Sequence, residues 1–177
     1  MKKLLLFFLL SFFVTSGLSA QENIFDACRS GNLEIVKKLY TIDSKVINQE
    51  ELSGYSPIVL ACYYGHEDIV SFLVTKVSNI NAKTSYGSPL MAATVKGYDT
   101  IVDILLAHDA NPDITDEKGV TAAHYAVLFK NYSIVEKLAN ANADFTIKNN
   151  VNKSAMDYAI SLNDEKINKI LNLLHKS

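Results

Sequence analysis

Arginine is almost missing from this chain: among 177 residues only Arg29 carries a guanidinium. Arginine grips phosphate with a two-pronged fork, so its scarcity removes the usual instrument for holding nucleic acid. A formal net charge of −2 points the same way. Histidine is sparse and dispersed. No two of His66, His108, His124 and His175 stand at a metal-ligand spacing, and Cys28 and Cys62 do not form a CxxC pair. No glycine-rich phosphate loop occurs. Ser53-Gly54-Tyr55-Ser56-Pro57 is not a nucleophile elbow, because proline stands where the second glycine is required. These absences leave no cofactor or metal site to name. A hydrolase using surface carboxylates is an alternative for which no residues speak, since solvation accounts for the scattered acids.

Long apolar runs are also absent, with one exception. Lys2 and Lys3 precede Leu4 to Val14, which is apolar apart from Ser11, and Thr15 to Ala20 is small and polar. That is the layout of a secretory signal peptide, expected to span residues 1–20 and to be cut after Ala20. The run falls short of the about 20 residues that cross a bilayer; an uncleaved anchor is the alternative. No cysteine follows the run directly, so nothing suggests lipid attachment. The remaining domain, residues 21–177, would carry a formal charge of −4 once Lys2 and Lys3 are gone. It has no second run long enough for a membrane, so no membrane contact is expected after cleavage. The short lysine-led leader is similar to bacterial ones, which makes the periplasm the expected destination and release from the cell the alternative.

What the chain does have is a repeat. Ser56-Pro57-Ile58-Val59-Leu60-Ala61 is echoed by Ser88-Pro89-Leu90-Met91-Ala92-Ala93, Thr121-Ala122-Ala123-His124-Tyr125-Ala126 and Ser154-Ala155-Met156-Asp157-Tyr158-Ala159. The leading residues lie 32, 33 and 33 positions apart, and a weaker copy, Glu22 to Ala27, precedes them by 34. A fixed period of this size predicts a linear array in which each unit packs on its neighbours. Five units are expected, at about 22–51, 52–84, 85–116, 117–149 and 150–177.

One unit shows the grammar. Ser88 is placed to accept from the free amides of a helix start, and Pro89 suits the first helical position. Leu90, Ala93 and Val95 follow on a short helix, which Gly97 ends in a turn that needs positive φ. Ile101, Val102, Leu105 and Leu106 then recur at helical spacing. The pattern Ser/Thr-Pro-Leu-His-x-Ala, then Gly-His, then Ile-Val-x-x-Leu-Leu, resembles the ankyrin repeat. Thr121, His124 and Ala126 carry it in one unit, Ser88, Pro89, Leu90 and Ala93 in another, and Gly65, His66, Ile69, Val70 and Leu73 in a third. The resemblance covers about residues 22–174. It implies an all-α repeat solenoid of helix-turn-helix units with outward β-hairpin loops, in which His124 bonds the cap hydroxyl of Thr121. Three features depart from it. Ala122 and Ala155 replace the proline. Lys130-Asn131 and Asn163-Asp164 replace the turn glycine, with Lys130 the poorer fit, and the loop before Ser88 is one residue short because Gly87 abuts the cap. The last helix is expected to bury Ile167, Ile170, Leu171 and Leu174 as a terminal cap. Cys28 and Cys62 occupy one slot in consecutive units. Stacked helices place such positions about 8–10 Å apart, beyond the about 7 Å a disulfide spans, so two buried thiols are expected, with a bridge as the alternative.

In an ankyrin-like stack the residues left free for recognition are the loop tips and the last turn of each first helix. Here those include Leu52, Tyr55, Tyr63, Tyr64, Tyr86, Val95, Lys96, Lys118, Leu128 and Phe129. The set is apolar for a surface, and apolar patches on soluble proteins mark binding sites. Tyr125 and Tyr158, one slot nearer the stack, are expected in the core. The function expected is capture of another protein by a monomer, without catalysis. Whether that partner is a periplasmic protein or, for a secreted effector, a host protein stays open.

Overall fold

The computed structural model describes residues 23–84 and 87–174, with side chains as far as residue 172. The expected signal segment lies outside these residues, as do Tyr86 and the side chain of Leu174. Among the described residues ten α-helices form five helix-turn-helix pairs. They are α1 (Ile24–Ser30) with α2 (Leu33–Ile42), α3 (Pro57–Tyr64) with α4 (Glu67–Val74), and α5 (Pro89–Lys96) with α6 (Asp99–Leu106). α7 (Ala122–Leu128) pairs with α8 (Tyr132–Asn140), and α9 (Ala155–Leu162) with α10 (Glu165–Leu174). The first helix of each pair packs on the first helix of the next, and the second helices form a parallel row outside them. This is the all-α repeat solenoid that the resemblance implied.

The two rows differ because their surroundings differ. The first helices have 7 or 8 residues, too short to persist alone in water. Those inside the stack survive by burying nearly everything: α3 buries every residue from Pro57 to Cys62, and α5 every residue from Pro89 to Thr94. Such helices are apolar all round because neighbours cover them on several sides. Second helices bury one stripe, Ile69, Val70 and Leu73 in α4, then Ile101, Val102 and Leu105 in α6. At the N-terminal end α2 has a neighbour on one side only, so Val36 is buried while Ile35 and Leu39 are half-exposed. At the other end Ile167 and Leu171 of α10 are buried and Ile170 is partly so.

Side-chain caps start most helices. Ser88, Thr121 and Ser154 each accept from an amide in the first turn, and the latter two complete capping boxes with His124 and Asp157. At the turn between paired helices the backbone is left-handed in every unit, with φ of 75°, 81° and 72° at Gly31, Gly65 and Gly97. Lys130 and Asn163 take the same conformation, at 54° and 48°, without being glycine. At Gly65 there is a second constraint: a Cβ would stand 2.7 Å from the ring of Tyr98 in the next unit.

The loops between units repeat as well. Glu51, Asp116 and Asn149 donate their N–H groups to the carbonyls of Tyr55, Val120 and Lys153 at 3.0, 2.9 and 2.9 Å. The third unit closes one residue earlier, Thr84 against Gly87, as its missing residue predicts. No strand forms among the described residues; single antiparallel bridges, Thr84 with Gly87 and Lys148 with Ser154, stand for the hairpins. Neighbouring loops are tied by a ladder of side chains. Asn48 Oδ1 accepts the Ser78 N–H at 2.8 Å, Asn81 Oδ1 that of Asn111 at 2.7 Å, and Asp113 Oδ1 that of Asp144 at 2.7 Å. Cys28 and Cys62 are both fully buried and unbridged. Burial drives both thiols toward the protonated form, Cys28 to about 12 despite the nearby Arg29.

Candidate binding groove

The face built by the first helices and their preceding loops is where the template leaves side chains uncovered. Val59 and Tyr63 stand one turn apart on α3, as do Met91 and Val95 on α5, so each pair presents to one side. Together with Tyr55, Ala92 and Tyr125 they line a concavity of about 260 Å³ that spans three consecutive units. Tyr63 and Tyr64 remain substantially exposed at the end of α3, their rings edge to face at 5.4 Å. The Lys96 ammonium lies 4.8 Å from the centre of the Tyr63 ring. Phe129, 58% exposed at the end of α7, stacks on Tyr125 at 6.1 Å.

Tyr125 is anchored from below. Its hydroxyl donates to Asp116 Oδ2 at 2.9 Å, and burial together with that carboxylate pushes the phenol up to about 12. The other oxygen of Asp116 accepts the N–H groups of Lys118 and Val120 at 2.8 and 2.9 Å. The ring is thereby held at the groove floor while it also packs against the core. The core placement expected for it is half of its role.

Of the residues named from sequence, Tyr55, Tyr63 and Val95 meet in the concavity, and Lys96 covers Tyr63. Tyr64 joins through Tyr63, and Phe129 through Tyr125. Leu128 is exposed beside Phe129, while Leu52 and Lys118 stand exposed in loops and line no part of the cavity. Tyr86 falls outside the described residues. Val59, Met91, Ala92 and Tyr125 were not foreseen as groove residues. The signal for three of them was available: Val59, Met91 and Tyr125 lie four positions before Tyr63, Val95 and Phe129, on the same helix face. Arg29 is engaged elsewhere, bound by the Glu51 carboxylate and by Asp26 at 3.1 Å.

The polar chemistry nearby is structural. His124 is fully buried; its Nδ1 accepts the Thr121 N–H at 3.1 Å and its Nε2 donates to the Lys153 carbonyl at 3.0 Å. Both nitrogens are thus spent on the cap and on the neighbouring unit. Among the described residues no three metal-ligating side chains cluster, and no helix is long and apolar enough to cross a membrane.

A family model for ankyrin repeats in three copies matches residues 24–116, and one for ankyrin repeats in many copies matches residues 105–159. The chain belongs to the ankyrin repeat family. Its ankyrin relatives are varied. An ankyrin repeat protein of fowlpox virus (strain NVSL) is 36% identical over 106 residues, which is 59% of this chain and 24% of that protein. BTB/POZ domain-containing protein 3 of Schizosaccharomyces pombe is 35% identical over 109 residues, 62% of this chain and 20% of its own length. Alpha-latrotoxin-Lh1a of Latrodectus hasselti is 34% identical over 105 residues, 57% of this chain and 8% of the toxin. The chain spans a quarter or less of the length of each of the three. What these proteins share with it is the repeat, and ankyrin repeats are in general non-enzymatic modules that mediate contact between proteins.

Proposed function

We propose that this ankyrin chain is a non-catalytic module that binds a partner protein through the groove of its first helices and its loop tips. The leader supports export, and the periplasm is the destination this reading assigns. The observation that carries the binding role is the aromatic-lined concavity across three units, with Tyr63, Tyr64 and Phe129 standing exposed at its margin. Large rigid rings held in place before contact lose little conformational freedom on binding, so they make effective anchors.

The test is capture of the partner from periplasmic extract by the wild-type chain and by the Tyr63→Ala, Phe129→Ala double variant. Each truncation of such an anchor weakens binding by about 2 kcal/mol, roughly thirtyfold. The variant is expected to keep its helical circular dichroism and lose the partner. Retained capture would remove these rings from recognition, and collapse of the helical signal would assign them to the core.

A further inference from the structure

Resting on that binding reading, the charges around the concavity narrow the chemistry of what fills it. We infer that the groove takes an acidic segment of the partner, with one aromatic or aliphatic side chain seated in the concavity and carboxylates beside it.

The chain as a whole is net negative at −2, yet one ammonium group lies over an aromatic wall of the concavity and two more stand at the loop that anchors Tyr125. Lys96 lies over Tyr63, whose ring faces the cavity. Lys118 is exposed in the loop whose Asp116 anchors Tyr125. Lys83 reaches the same loop, with its Nζ 3.4 Å from the Asp116 carbonyl oxygen. The carboxylates that would neutralise them are occupied. Asp116 is buried and holds Tyr125 and two loop amides, and Glu51 binds Arg29 and Ser53. Glu50 and Glu117, exposed in these same two loops, are the acids left over. None of these three lysines has an ion pair among the described residues. A basic segment would set like charges together here, whereas an acidic one finds partners on each side of the aromatic floor. The hydroxyls of Tyr63 and Tyr64 add further donors for carboxylate oxygens. A cavity of about 260 Å³ lies below the usual range for small-molecule sites, which suits a single large side chain.

The experiment is selection of dodecapeptides from a random phage-displayed library on the immobilised full chain, followed by affinity measurement of selected peptides by fluorescence anisotropy. Selected peptides are expected to be enriched in Asp and Glu around Phe, Tyr or Leu. Their affinity should fall about tenfold for Lys96→Glu with Lys118→Glu, at unchanged circular dichroism, and should weaken with added salt. Peptides without acidic enrichment, peptides that bind the charge-reversed variant equally well, or no selected peptides at all would overturn the inference. The Tyr63→Ala, Phe129→Ala variant separates the two readings. Peptides that need these rings but ignore the lysines leave the groove standing and remove only the acidic preference; peptides indifferent to the rings remove both.

Discussion

Ser56 and Ser154 open equivalent helices, yet their hydroxyls are used differently. Ser154 Oγ accepts the Asp157 N–H at 3.0 Å, while Ser56 Oγ is buried without a hydrogen bond. Removing a working cap costs about 1–2 kcal/mol, whereas deleting an unpartnered hydroxyl leaves no bond to lose. Ser154→Ala is therefore expected to lower the urea midpoint clearly, and Ser56→Ala to change the unfolding free energy by less than about 0.5 kcal/mol. Lys130 offers the opposite case. A non-glycine residue in the left-handed region costs about 1–2 kcal/mol, and Lys130 sits there at φ 54°. Its ion pair with Asp164 at 3.3 Å is half-exposed on the lysine side and worth little by comparison. Lys130→Gly should stabilise the fold by about 0.5–1 kcal/mol, visible as a raised thermal midpoint. A lowered midpoint would mean that the pair with Asp164 matters more than the backbone.

The start of α9 ties its loop to its helix through one carboxylate. Asp157 Oδ2 accepts from the Ser154 N–H at 2.9 Å and from Lys148 Nζ at 3.1 Å. The Ser154 amide, then Lys148, hold the Asp157 carboxyl well below the usual range, at about 2. An unfolded aspartate titrates near about 3.9. The folded value being the lower one, the stabilisation is complete above about pH 4 and is lost as pH falls toward about 2. Asp157→Asn should flatten the decline of melting temperature across that window; an equally steep acid limb would place the sensitivity in other carboxylates. The helices themselves were readable to different degrees. Second helices announce their buried stripe by spacing, as Ile101, Val102 and Leu105 do. The inner first helices, apolar on every side, give no such direction by hydrophobic spacing, and Val59 and Met91 are tied to the groove face only by their four-residue offset from Tyr63 and Val95.

Across the molecule, stability is shared between units and not owned by any of them. α5 packs on α7, and α6 on α8, so deleting residues 121–177 exposes the flank of the third unit to water. The remaining units should melt about 10 °C lower or more, equivalent to roughly 2 kcal/mol or more in a domain of that size. Thermal melts of the truncated and full chains compare this directly, and equal midpoints would contradict a neighbour-dependent stack. The ladder of Asn48, Asn81 and Asp113 belongs to this level too, because each side chain bonds the backbone of the following unit.

The repeat period, the caps at Ser88, Thr121 and Ser154, the left-handed turns at Gly31, Gly65 and Gly97 and the short third loop follow from local rules. Each depends on a few adjacent residues whose backbone preferences hold in any surroundings. The gathering of Tyr55, Val59, Tyr63, Met91, Ala92, Val95 and Tyr125 around one concavity does not. It depends on how far each unit is rotated and displaced from the last, and packing between neighbours sets that offset. The same holds for the second oxygen of Asp116, which becomes unavailable to a ligand only because helix α7 brings the Tyr125 hydroxyl to it.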